Sequence, residues 1–238
     1  SLQKEPFFKI GNLDTGYQAK KFSKGFRLLN FHSWLPTISS SEYTLTLISE
    51  NLINTLQTDL YFTYNPNEDS KKVGFVTAYG AFYPWIRAGA AYTKDRRATL
   101  RGNRVYFDEV EAKIGFLIPW NFSGGLNFRS LSIGTDYVYV KQNVRGVYKD
   151  SVDAKGFGYT SSYFFFSNQI QRARQNIFPR FAQTLRGDFN RAITNRSGYQ
   201  LTLNGWLYFP GIQTNHSFAV NAAFQTRDTL NNIGFTNS

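Results

Sequence analysis

The sequence predicts an all-β protein, an antiparallel transmembrane β-barrel of the bacterial outer membrane. Three observations carry this expectation. Segments such as Thr55–Tyr64 alternate strictly, with Leu56, Thr58, Leu60, Phe62 and Tyr64 on one face and Gln57, Asp59, Tyr61 and Thr63 on the other. Aromatics make up 18% of 238 residues, with 23 Phe, 15 Tyr and 4 Trp, while mean hydropathy is −0.38. That pairing suits a barrel, which hides its hydrophobicity in alternation. No apolar run reaches the roughly 18 residues that a membrane-spanning helix needs.

Eleven segments carry the period, and the visible part of the barrel is read as eleven to twelve strands. They begin with weaker examples at about 25–35 and 43–49, then the clear one at 55–64. Segments 73–83 and 86–93 follow. At Phe107–Ile118, Val110, Ala112, Ile114 and Phe116 oppose Glu109, Glu111, Lys113 and Gly115. Next come 126–140 and 157–168, where Tyr163-Phe164-Phe165-Phe166 interrupts the alternation and has no evident phase. Ile177–Phe189 sets Phe181, Leu185 and Phe189 against Arg180, Thr184, Arg186 and Asp188. Tyr199–Phe209 and His216–Phe224 complete the series, the latter with Phe218, Val220, Ala222 and Phe224 on its apolar side.

A soluble sandwich also alternates, so the polar faces matter. They are dense in Gln, Asn, Ser, Thr and paired charges, as a hydrated lumen would be. Asp59, Arg87, Glu109, Glu111, Lys113, Asp136, Arg180, Arg186 and Asp188 are assigned to that lumen, with Arg129 beside them.

Connections follow the same reading. Trp34-Leu35-Pro36, Tyr83-Pro84-Trp85, Pro119-Trp120-Asn121-Phe122 and Phe209-Pro210-Gly211 place Pro, which stops a ladder, beside rings that favour the headgroup level. Trp34, Tyr83, Trp85, Trp120 and Phe209 are therefore expected in an aromatic girdle. Links 84–85, 119–125, 169–173 and 210–213 are read as short periplasmic turns, and 65–72, 94–106, 141–156 and 192–197 as longer external loops. The Pro36 turn falls on the external side and breaks the scheme. Residues 1–24 become a periplasmic lead-in and 25–238 the barrel. Eleven strands leave the two ends on opposite sides, whereas bacterial barrels close with an even number. The expectation is an incomplete barrel with at least one strand after Ser238, in keeping with the absence of Met.

The net charge of +11 is scattered rather than clustered, and no nucleic-acid motif stands out, so nucleic acid is not an expected partner. The expected partners are the lipid bilayer, phosphate-rich lipopolysaccharide, and other outer-membrane or periplasmic proteins. Zero Cys removes disulfides and thiolate chemistry. His32-Ser33 and His216-Ser217 are strand neighbours pointing to opposite faces, so neither pair is expected to share a proton. Glu109 and Glu111 share a face about 7 Å apart. With Lys113 beside them, an ion-pair ladder is the better reading than acid/base work. No enzyme, metal site or cofactor is expected.

The opening Lys20–Pro36 (K-K-F-S-K-G-F-R-L-L-N-F-H-S-W-L-P), followed by S-E-N-L-I-N-T-L at Ser49–Leu56, resembles barrel regions of large Bacteroidota outer-membrane proteins. These are similar to the BamA-like surface-antigen superfamily. Asn54 stands where the family's loose N-L-x-G-T pattern has Gly. The resemblance implies protein assembly or translocation, or anchoring of a larger envelope complex; a passive or selective pore is the alternative. Family members tuck a V-R-G-[FY] loop into the lumen. Val144-Arg145-Gly146-Val147-Tyr148 departs from that motif by one Val and makes Arg145 a loop-docking candidate.

Overall fold

A computed structural model describes residues 28–100, 103–146, 155–171, 179–213 and 216–229. They form eleven strands: β1 (Phe31–Ile38), β2 (Tyr43–Glu50), β3 (Leu56–Asn65), β4 (Ser70–Tyr79), β5 (Trp85–Leu100), β6 (Asn103–Asn121), β7 (Asn127–Val144), β8 (Phe157–Ile170), β9 (Ala182–Thr194), β10 (Tyr199–Pro210) and β11 (Ser217–Arg227). Each pairs antiparallel with the next in chain order, giving one eleven-stranded meander. The sheet is open, with β1 and β11 as its edges. Because the number of strands is odd, both edges run in the same direction. The lead-in 1–24 and the tail after Asp228-Thr229 lie outside the described residues.

Every predicted strand corresponds to one observed strand, but the connections differ from expectation. The end carrying the β1–β2, β3–β4, β5–β6, β7–β8 and β9–β10 links is called upper here, the other lower. The upper link at 94–106 is strand for almost its whole length: β5 is 16 residues and β6 is 19, with only 101–102 between them. Links 39–42, 66–69 and 195–198 are no longer than the lower links 51–55 and 122–126. Short and long connections therefore do not alternate; strand overhang, not loop length, distinguishes the upper end.

Pro36 is not in a turn either. It lies within β1 opposite Leu45. An edge strand has one unpaired side, so a residue without an N–H costs no ladder bond there. Pro119 lies within β6 beyond the last β5 partner, Trp85↔Leu117, and its carbonyl accepts a 3.4 Å bond from the Tyr83 hydroxyl.

Turns are built from local side-chain bonds. Asn51 Oδ1 accepts from the Thr55 and Leu56 amides at 2.7 and 3.0 Å. Asn54, in the position of the pattern's Gly, has φ 50°, which Asn tolerates better than most residues. A register shift between Thr93 and Arg96 marks a bulge in β5, with Asp95 at φ 60°.

Few apolar side chains are buried, and five of them, Val138, Val140, Phe157, Tyr159 and Ala192, form one cluster on β7–β9. Large apolar residues are exposed along every strand from β1 to β11. The alternation produces two faces of opposite character rather than one enclosed core.

Candidate functional site

The apolar face is best followed along rows of cross-strand partners. One row reads Ile38–Tyr43–Tyr64–Lys71–Lys94. Four residues lower it becomes Trp34–Leu47–Leu60–Phe75–Ala90–Ala112–Tyr139. The next runs Ser49–Thr58–Thr77–Ala88–Ile114–Tyr137–Thr160–Arg191. It is polar at β2–β4, apolar at β5–β7 and polar again at β8–β9. Further down, Trp120–Leu131–Phe166–Leu185–Gly205–Ala222 is apolar throughout. The apolar band thus crosses the rows obliquely, entering high on β2 and leaving low on β11. Its upper border carries Lys71, Lys94, Lys141 and Arg191, all exposed and none salt-bridged among the described residues.

Four of the five girdle residues, Tyr83, Trp85, Trp120 and Phe209, gather at the lower end, and Trp34 lies in the middle of β1. Trp85 opposes Leu117 on the polar-face set and packs over Gly80, so it is off the apolar face. Phe209 meets Phe181 edge-on at 6.3 Å. Trp34 is on the apolar face of β1, 68% exposed.

On the opposite face the charges predicted from sequence come together, with partners that spacing did not reveal. The Glu109 carboxylate accepts from Arg96 at 2.6 Å and from Gln142 at 2.7 Å. Glu111 pairs with Lys72 at 3.7 Å, two strands away. The ladder's cations are therefore Arg96 and Lys72; Lys113 lies over Gly89 and pairs with no carboxylate among the described residues. Arg87 on β5 reaches Asp136 on β7, crossing β6 at Gly115. A Cβ at Gly115 would collide with the Asp136 carboxylate and the Thr135 carbonyl, so glycine is what lets this pair form. Arg87 also stacks on Tyr163, 4.9 Å from the ring centre. Tyr163 in turn lies over Gly134, a cross-strand partner with no side chain of its own. Arg186 and Asp188 pair along β9 through two bonds of 2.9 and 3.1 Å. Asp59 is exposed on this face.

Other predicted residues lie elsewhere. Arg180 precedes β9, which starts at Ala182 rather than Ile177, and it is exposed outside the strand. Arg129 is in the apolar-face set and donates to Asn168 at 3.2 Å. Arg145 docks, but not among the polar-face charges. Its guanidinium pairs with Asp95 at 2.9 Å and with Asp108, which alternates with Glu109 and so points the other way. The hydrogen bond that Arg145 donates to Asp108, with the pull of both carboxylates, raises the Arg145 pKa. Arg145 thus clasps the β5 bulge to β6; Val147 and Tyr148 lie outside the described residues.

Sequence reasoning also misjudged one His pair. The register shift between Phe31 and Ser33 turns His32 toward its neighbour, and Nδ1 lies 2.7 Å from the Ser33 hydroxyl. The pair is exposed on the edge strand, and among the described residues no carboxylate salt bridge orients the imidazole.

Between β5 and β10 the polar face holds a cavity of about 530 Å³. Arg87, Asp136, Asn190, Arg186, Asp188 and Trp206 line it, with Tyr163 and Phe165 in its floor. Trp206 and Phe165 are sequence-legible as aromatic residues, but only the register places them among charges. Compared with known protein-family models and with curated proteins, the chain matches none.

Proposed function

We propose that this chain forms wall of a bacterial outer-membrane β-barrel that acts in protein assembly or translocation, or anchors a larger envelope complex. The oblique apolar band is the observation that carries the reading. Barrel strands tilt by about 35–45° to the barrel axis, so a band level with a membrane must cross the hydrogen-bonded rows at an angle. Eleven strands at ~4.8 Å spacing make the apolar face roughly 48 Å wide. A soluble protein rarely leaves so extended an apolar surface uncovered. Lys71, Lys94, Lys141 and Arg191 at its upper border support contact with the phosphates of lipopolysaccharide.

The edges support a role within something larger. β1 and β11 run the same way, so antiparallel closure takes at least one more strand, from this protein or a partner. Bare edges in lipid would leave backbone groups unpaired. The opposed charges along the polar face favour the second reading, a diffusion pore.

Substitutions on β4 test the membrane assignment. Phe75→Arg places a charge in the band and should destabilise the bilayer-inserted protein by about 2–4 kcal/mol. Val76→Arg, on the opposite face, should cost far less. Equal costs in bilayer unfolding titrations would defeat the proposal. A steady single-channel current would move the weight to the pore, and crosslinks from β1 or β11 to neighbouring proteins would favour assembly or anchoring.

A further inference from the structure

We infer that the polar-face cavity between β5 and β10 is a binding site for a neutral, linear oligosaccharide. One cross-strand row crosses it: Arg87–Gly115–Asp136–Ser161–Asn190. Three side-chain atoms in that row are buried without a hydrogen-bond partner in the described protein: Arg87 Nε, Asp136 Oδ1 and Asn190 Oδ1. Asn190 is 5% exposed and Asp136 8%, so bulk solvent reaches neither freely. Buried polar atoms are almost always satisfied, and a concentration of exceptions marks a place where something else supplies the partner.

The chemistry of that partner follows from the set. Two acceptors and one donor stand unpaired, and a hydroxyl group both donates and accepts. Charge selects against ions, because Arg87 and Arg186 are balanced by Asp136 and Asp188. From the Asn190 row the cavity extends along the strands toward Trp206, about 20 Å of strand. Its volume of about 530 Å³ falls within the ~300–1,000 Å³ of small-ligand sites. Trp206 and Phe165 present rings 41% and 38% exposed to this otherwise polar wall. An aromatic face there offers a platform for the C–H face of a sugar ring, while Thr202 and Asn204 add hydrogen-bonding groups on the same strand. An elongated, neutral, hydroxyl-rich ligand with apolar ring faces meets every one of these conditions.

The inference rests on the polar face alone and stands apart from the membrane assignment. Calorimetric titration of the full chain in detergent with maltotriose and cellotriose tests it, using an anionic hyaluronan tetrasaccharide and a cationic chitosan trimer as controls. At least one neutral trisaccharide should bind saturably and more tightly than either control. Trp206→Ala and Asn190→Ala should each weaken binding about tenfold or more, with circular dichroism unchanged, and Trp206→Phe should fall between. No saturable heat from either neutral sugar, tighter binding of a charged control, or folded variants of undiminished affinity would each overturn it. Liposome flotation of the same sample reads the membrane proposal separately: protein that binds sugar without floating keeps this site and loses that assignment, and floating protein that binds neither sugar does the reverse.

Discussion

The polar face is two different surfaces joined at Arg87. Toward β3–β7 its buried carboxylates are matched: Glu111 with Lys72, and Glu109 with Arg96 and Gln142, while Lys113 and the exposed Asp59 stand outside these pairs. Toward β8–β10 it offers Asn190, Asn204, Thr202 and Trp206, with atoms left unpaired around a cavity. Arg87 belongs to both, bonded to Asp136 through one nitrogen and unpaired at Nε. The contrast separates polar groups that hold the wall together from polar groups that are held ready by it. In the first region each buried carboxylate has its cation, and removal of a partner leaves an uncompensated charge. In the second, apart from the Arg186–Asp188 pair, removal of Trp206 or of the unpaired Asn190 Oδ1 strands no charge.

Substitutions can break or sharpen that division. Arg87→Ala should be the most damaging, since Asp136 would keep its charge beside Gly115 with no cation. A loss of about 3 kcal/mol is expected in denaturant titrations. Gly115→Ala reaches the same pair from the other side, by pushing the Asp136 carboxylate away. It should cost about 2 kcal/mol, and Gly115→Ala combined with Arg87→Ala should cost less than the sum, because both act on one contact. Full additivity would mean that Gly115 serves the backbone and not the ion pair. On the cavity side, Trp206→Ala and Asn190→Ala should change stability by no more than about 0.5 kcal/mol. A large loss there would make the cavity lining structural and erase the difference between the two regions.

The strands themselves were legible because alternation is a local property. Leu45, Leu47, Leu60, Phe62, Val73 and Phe75 declare their face from the identity of nearest neighbours, with no knowledge of the partner strand. Even Tyr163-Phe164-Phe165-Phe166 resolves once paired: Tyr163 and Phe165 take the polar face, and Phe164 and Phe166 the other. Links were less legible. A strand that overhangs its neighbours and a loop look alike when both are polar, which is why 94–106 read as a loop and proved to be a hairpin. Arg180 was misplaced by extending the period backward past the true start of β9.

By itself the sequence determined an all-β chain, eleven strands, and, apart from residues such as Arg129 and Arg180, which side chains belong to the polar and apolar faces, because a period of two is written in adjacent residues. The tertiary structure decided everything that depends on register. It joined Lys72 to Glu111 and Arg87 to Asp136 across an intervening strand, made room for the second pair at Gly115, and turned Arg145 away from the polar wall. It also set Trp206 and Asn190 on one cavity and laid the apolar band obliquely across the rows. Such contacts link residues tens of positions apart, and their existence rests on how far each strand slides against the next. No single stretch of sequence encodes that offset; it emerges when neighbouring strands bond.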